Sequence, residues 1–305
     1  MTAITTATAA RTRTAATTTA ATEATTATAT RTVGALDVPG AVLHYQVQGT
    51  GPTLLISQSG EGDADRSTDL VARLTDSYRV ITYDRRGLSR SRLDAPERGA
   101  TLVEHADDVQ RLLAALSDGP VLMLGCSLGA VIGLHVAVRH PGLIDTLVAH
   151  EPVAPRLLSD EERARHEGEL TGLQDLYGRE GLSAVLPEIA RCLGIDPAGT
   201  DAEPNLTPQP MNARRIANFD RFIRHDFTAI VQDTLDTGAL ASTGTRIVPA
   251  IGRSTPDAVF DLRCAASLAE LVGHEVREFP GGHNGNTSHP EAYAARLRQV
   301  LAETC

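Results

Sequence analysis

From Thr53 onward the chain alternates short apolar runs with amphipathic stretches, and this alternation restricts its fold more than any other feature. TLLISQ (53–58), YRVITYD (78–84), PVLMLGC (120–126) and LIDTLVAHE (143–151) are short and almost unbroken in apolar character, as strands buried on both faces must be. Between them, DADRSTDLVARLTDS puts Leu70, Val71 and Leu74 on one helical face. TLVEHADDVQRLLAALSD repeats Leu102, Ala106, Val109, Leu112, Leu113 and Leu116 at helical spacing, and Thr101 and Glu104 have the spacing of a capping box. LGAVIGLHVAVRH reads as a third helix, stopped by Pro141-Gly142. Strand, helix, strand in succession predicts an α/β fold: a mostly parallel, doubly wound sheet with helices on both faces. A hairpin, VGALDV and VLHYQVQ about Pro39-Gly40, should precede it.

The alternation stops after Glu151. Residues 152–243 carry helical patterns such as SDEERARHEGELTGLQDLYG and Pro-rich breaks such as DAEPNLTPQP, with no convincing strand. It resumes with the strand RIVPAIG (246–252), the helix FDLRCAASLAELVG, the strand HEVREFPG and the helix HPEAYAARLRQVLAE. The economical division is a core of residues 33–151 and 244–305, interrupted by a helical cap of residues 152–243. Such a cap should lie over the C-terminal strand ends, where open α/β sheets bind their ligands. Residues 1–32 hold 15 Thr and 11 Ala; with almost nothing to bury, they are expected to form a disordered tail.

Composition excludes several functions. A net charge of −10 argues against a nucleic-acid or anionic-membrane surface. All 28 Lys-or-Arg positions are Arg, which rules out a Schiff-base lysine. Cys126, Cys192, Cys264 and Cys305 have no metal-ligand spacing and read as reduced thiols in a cytoplasm. No apolar run reaches the roughly 18 residues of a membrane span. A small-molecule substrate is the expected partner, with no metal or organic cofactor.

The chemistry concentrates at GCSLG (125–129), a G-x-S-x-G set between an apolar strand and a helix rich in small residues. That context is what a nucleophile elbow needs. The two Gly remove side chains where strand and helix crowd, and the turn lifts Ser127 clear of the sheet. The N–H of Leu128, at the helix start, would then face the reacting carbonyl oxygen. TYDRRGLSRS (82–91) and FPGGHNG (279–285) supply two further loops. With these three motifs the chain resembles the α/β-hydrolase fold family over about residues 36–304. The resemblance implies a serine nucleophile and a catalytic histidine after the last strand, which here is His283. It also implies a second oxyanion donor after TLLISQ. Family members often have His-Gly there; this chain has Ser59-Gly60, so the next N–H, that of Glu61, is the candidate, its side chain being expected in solvent or capping a helix end rather than catalytic.

Among the other histidines, His135 and His140 lie on the helix after the elbow, His105 on the polar side of a helix and His289 at a helix start. His150 is the one rival near the site, as a pocket-lining residue. A serine–histidine pair needs an acid to fix the imidazole tautomer. In IGRSTPD (251–257) the family's usual acid position is Thr255, and the first acid is Asp257, two residues late. Glu151, ending the strand after the nucleophile helix, is the first choice, and Asp257 the alternative. Certain haloalkane dehalogenases carry their acid after this strand, but they and epoxide hydrolases use an Asp nucleophile, which Ser127 is not. The reading is a serine hydrolase of an ester, thioester, lactone or similar carbonyl substrate, acting through an acyl-enzyme. A lyase or cyclase on the same scaffold and a non-catalytic small-molecule-binding protein are the alternatives.

Overall fold

The computed structural model describes residues 31–196 and 199–303 and the backbone of residues 21–23. Ten strands among these residues form one sheet: β1 (Ala21–Glu23), β2 (Arg31–Val38), β3 (Ala41–Gln48), β4 (Thr53–Ser57), β5 (Arg79–Tyr83), β6 (Arg92–Leu93), β7 (Val121–Cys126), β8 (Ile144–His150), β9 (Arg246–Gly252) and β10 (Arg277–Phe279). Their spatial order is β1-β2-β3-β5-β4-β7-β8-β9-β10, with β6 on β3. The first strands pair antiparallel, and β5, β4, β7, β8, β9 and β10 run parallel. The predicted hairpin turns at Gly40, whose φ of 77° only glycine adopts without strain. Of the tail expected over residues 1–32, residues 1–20 and 24–30 lie outside the described ones. Ala21–Glu23 instead pair with β2, which starts at Arg31 rather than Val33.

Helices α1 (Thr68–Leu74), α2 (Leu102–Leu116) and α3 (Leu128–Arg139) alternate with the strands. The Thr101–Glu104 capping box forms, the Thr101 hydroxyl accepting from the Glu104 N–H at 3.1 Å and the Glu104 carboxylate accepting from the Thr101 N–H at 3.0 Å. The insertion after β8 contains helices joined by irregular segments and no strand among its described residues. It comprises α4 (Asp160–Glu180), α5 (Leu182–Cys192), α6 (Ala213–Arg221), a π-helical turn (Phe222–Asp226), α7 (Phe227–Val231) and α8 (Thr237–Leu240). After β9 come α9 (Phe260–Val272), α10 (Gly285–Ser288) and α11 (Pro290–Ala302). The strand expected over HEVREFPG shrinks to Arg277–Phe279, the three residues that pair with Ala250–Gly252 of β9; upstream of them the His274 ring bonds the Ile247 carbonyl at 2.5 Å.

Both sheet faces are covered, which is why the strands lack a polar face. Leu54 and Ile56 of β4 pack with Leu70 and Leu74 of α1 and Leu297 of α11. Leu55, between them, joins Ile81, Met123 and Leu147 against α2, α3 and α9 on the opposite side. The insertion is tied to loops beyond the C-terminal ends of β4 and β5. Arg85 and Asp226 form a buried ion pair at 3.0 Å, and the Asn218 side chain accepts the Ser89 N–H at 2.9 Å.

Glycine marks the tightest junction. A Cβ on Gly129 would stand 2.1 Å from the Ser57 carbonyl oxygen, a backbone atom that cannot move aside, whereas one on exposed Gly168 in α4 would meet nothing within 4 Å. Gly129→Ala should therefore lower stability by about 3 kcal/mol or more, while Gly168→Ala should raise it by roughly 0.5–1 kcal/mol. Urea titration of both variants checks the contrast; equal midpoints would contradict the packing described.

Candidate active site

β7 ends at Cys126, and the chain turns into α3 through Ser127, at φ 55° and ψ −117°. A non-glycine residue held there costs of order 1–3 kcal/mol, so its surroundings must impose it. They do: the Ser127 N–H donates to the His150 carbonyl at 2.8 Å, and its carbonyl accepts the Ala130 N–H at 3.0 Å. A Cβ on Gly125 would approach the Ala130 Cα to 2.6 Å, which explains the first glycine of the motif. The Leu128 N–H opens α3, where a helix leaves its donors without internal partners.

One residue past β8, Glu151 has φ 43°, and its N–H donates to the Ala250 carbonyl on β9 at 2.8 Å. Its side chain is completely buried. One carboxylate oxygen accepts from the Gly252 N–H at 2.7 Å and the Thr255 hydroxyl at 2.6 Å; the other accepts from Nδ1 of His283 at 2.8 Å. Burial pushes this carboxyl up, but the His283 hydrogen bond, the charges of His150 and His283, and the Thr255 hydroxyl bring it down to about 2. Thr255, at the position where the family resemblance puts an acid, thus holds the carboxylate supplied from β8.

His283 reaches Glu151 because the loop after β10 packs backbone on backbone. A Cβ on Gly252 would stand 2.5 Å from the Gly282 carbonyl carbon, and Gly281 takes φ 74°. Ser127 and His283 make no direct hydrogen bond. They are joined through His150, whose carbonyl holds Ser127 and whose Nε2 meets the Gly282 carbonyl at 3.4 Å. With Nδ1 donating to a carboxylate, Nε2 is the imidazole atom left to accept a proton. His283 borders a cavity of about 280 Å³, lined also by Ser254, Asn284 and Asp201.

The loop after β4 is clamped from beneath and covered from above. The Arg85 guanidinium donates to the carbonyls of Gln58 (3.1 Å), Ser59 (2.5 Å) and Gly60 (2.7 Å) while paired to Asp226 of the insertion. The Phe222 ring lies on Gly60, leaving a Cβ there only 2.4 Å from its Cζ. The Glu61 side chain, expected in solvent or capping a helix end, is instead buried in a two-point pair with Arg215 of α6 (2.8 and 2.5 Å) and contacts Arg66 at 3.2 Å. The insertion brings the arginine that makes this burial tolerable.

The remaining candidates fall elsewhere. Asp257 is exposed, and no hydrogen bond or ion pair joins it to His283. His105, expected on the polar side of α2, is buried 3.6 Å from Asp226. His150, the rival expected near the site, is fully buried, edge-on to Phe279 and Tyr293, and burial pushes its imidazole down. His135 and His140 bond Asp233 and Asp107, at 2.7 and 2.9 Å, and His289 sits at the start of α11, 3.3 Å from Asp201.

One residue escapes the sequence reading. Asp261, in the first turn of α9, is fully buried with Oδ2 3.2 Å from Nδ1 of His283. Burial raises its carboxyl to about 6, against the opposing pull of His283. The signal was present: Asp261, Cys264, Ala265 and Leu268 form the i, i+3, i+4, i+7 stripe that α9 buries, and a carboxylate on such a stripe requires a partner. Glu151, Asp261 and His283 are also the one group among the described residues whose ligand atoms lie within 4.8 Å of one another. Both Glu151 oxygens are already engaged, so the trio is arranged for sharing a proton rather than for holding a metal ion.

A serine at a strained strand-to-helix turn, beside a histidine–carboxylate pair from neighbouring ends of a parallel sheet, defines an α/β hydrolase, and the chain belongs to the α/β-hydrolase fold family. The family profile matches residues 52–173. The uncharacterized hydrolase YraK of Bacillus subtilis (strain 168) is 36% identical over 272 residues, covering 88% of this chain and 95% of that protein. The putative carbamate hydrolase RutD of Yersinia enterocolitica is 29% identical over 244 residues, covering 76% of this chain and 80% of its own. Among solved structures, an esterase from Exiguobacterium antarcticum superposes with a TM-score of 0.69 at 18% identity, over 87% of this chain and 97% of its own. No helix among the described residues is long and apolar enough to cross a membrane.

Asp226→Ala would leave the Arg85 guanidinium buried without its counter-charge. The variant should lose about 3–5 kcal/mol in denaturant titrations; a loss below about 1 kcal/mol would show that the loop clamp does not depend on the insertion.

Proposed function

We propose that this hydrolase is of the serine type and cleaves an ester, thioester, lactone or related carbonyl substrate through an acyl-enzyme. The observation that carries the reading is the Glu151–His283 hydrogen bond of 2.8 Å, which turns Nε2 of the imidazole into the free base at the strand end next to Ser127. In this mechanism His283 takes the Ser127 proton as the hydroxyl oxygen attacks the carbonyl carbon. The N–H groups of Leu128 and Glu61 receive the oxyanion, two donors aimed where charge develops. The imidazolium, stabilised by Glu151, then protonates the leaving group, and the same base activates water for deacylation. Glu151 is favoured over Asp257 as the acid because it is buried and bonded to the base.

Residues 152–243 act as the cap, with Phe222 and Arg215 seated on the oxyanion loop, so substrate reaches Ser127 between cap and core. A small carbonyl compound as partner, in a reducing cytoplasm, accords with three unpaired described cysteines. The carbamate hydrolase relative and the esterase neighbour both carry names of carbonyl hydrolases, in keeping with a nucleophile that adds to C=O. Epoxide opening is disfavoured, because an ester intermediate there needs a carboxylate nucleophile at the elbow and this chain offers Ser127.

A fluorophosphonate probe should label the wild type, and Ser127→Ala should abolish both labelling and turnover of a p-nitrophenyl ester. His283→Ala should slow labelling by roughly 10³-fold or more. Labelling that survives Ser127→Ala would remove the serine mechanism. Labelling without turnover of any acyl ester would favour a lyase or cyclase.

A further inference from the structure

His283 has one Nδ1–H and two carboxylates to receive it. Glu151 accepts it at 2.8 Å, and Asp261 stands 3.2 Å from the same nitrogen with neither of its oxygens hydrogen-bonded. All three side chains are buried: His283 is 2% exposed in its side chain, and the two acids not at all. A carboxylate taken out of water without a donor is unfavourable by several kcal/mol unless it gains a proton or a positive neighbour. Among the described residues, the group placed to satisfy Asp261 is the imidazole of His283, by becoming an imidazolium or by turning its Nδ1–H from Glu151.

We propose that Asp261 is a second positioning carboxylate for His283, sharing its single Nδ1–H with Glu151 and adding a second negative charge that sets the pH at which the imidazole becomes a base. The proposal rests on the serine-hydrolase reading and deepens it. Two anions beside one imidazole stabilise the imidazolium formed as Ser127 is deprotonated. The same two anions favour that charged form in the resting enzyme, where it cannot accept a proton.

The direction follows from the surroundings. From β8, Glu151 and His150 face His283, and from α9, Asp261. Cys264 and Cys192 of α5 lie within the field of Asp261, and Asp196 and Asp201 line the cavity that His283 borders. None of these groups supplies positive charge except a protonated histidine. Burial pushes His283 down, but Asp261 and Glu151 outweigh it and raise it to about 10. A base usable only when neutral therefore appears at higher pH than an ordinary imidazole, near 6.5. Removing one anion must bring it back toward neutral pH.

The test is the rate of Ser127 labelling by a fluorophosphonate from pH 5 to 11, beside the ¹³Cε1 titration of His283, assigned through His283→Asn. The wild-type rate should rise through a limb above pH 6.5. Asp261→Asn should move that limb down by about 1–3 pH units, an effect that a merely structural role would not produce. Glu151→Gln should lose less than the roughly 10⁴-fold seen when a lone acid becomes its amide, since Asp261 takes over the Nδ1–H, and the double variant should lose that full factor. A limb unmoved by Asp261→Asn overturns the proposal, as does a double variant no slower than Glu151→Gln. If Asp261→Asn does not fold, Asp261→Ser replaces it. If neither folds, the wild-type His283 titration decides, a midpoint at or below 6.5 overturning the idea. A wild type that is not labelled at any pH refutes the serine mechanism instead, while the ¹³C titration still reports on Asp261.

Discussion

The buried carboxylate of Glu151 is the contact on which the architecture of the site depends. It has no exposed surface, yet it binds the end of β9 through the Gly252 N–H, the following turn through Thr255, and the loop after β10 through His283. Three segments, each more than 100 residues from Glu151 in sequence, thus meet at one charged group. An ion buried this deeply is tolerated only when its lone pairs are occupied, so each donor is as necessary to the carboxylate as the carboxylate is to the imidazole. Its φ of 43° is part of the same arrangement: the backbone must turn sharply after β8 to aim the side chain back over the sheet ends.

Ser127 is held by the same strand end. Its N–H bonds the His150 carbonyl, one residue before Glu151, so Ser127 and Glu151 are placed from a single point at the end of β8. Two positive-φ residues, Ser127 and Glu151, therefore stand at adjacent strand ends, where a parallel sheet leaves its C-terminal carbonyls without strand partners. Strain that would be unfavourable elsewhere is offset here by backbone hydrogen bonds from the neighbouring strand.

Electrostatics divide the molecule into two regimes. Away from the imidazole, buried acids are matched by arginines: Asp226 by Arg85, Asp108 by Arg86, Glu61 by Arg215 and Arg66. At the imidazole the balance is reversed, with two acids and no arginine between them. Arginine keeps its charge at any working pH, whereas histidine does not. The first arrangement fixes loops, and the second leaves a charge that can change.

The strand–helix alternation, the capping box and the elbow glycines were legible in the sequence because each expresses local geometry: period, turn shape or the space beside one backbone atom. Ser127 and His283 stood in motifs for the same reason. Asp261 was hidden because a helix stripe shows which face is buried but not what it is buried against. His105 and Glu61 were misplaced because their partners, Asp226 and Arg215, come from the insertion, where nothing local predicts the pairing. The sequence by itself determined the sheet, the elbow and the two ends of the site. Only the tertiary structure decided which carboxylates reach the histidine, since that depends on the ends of β8, β9 and β10 lying side by side although the insertion separates β8 from β9 along the chain.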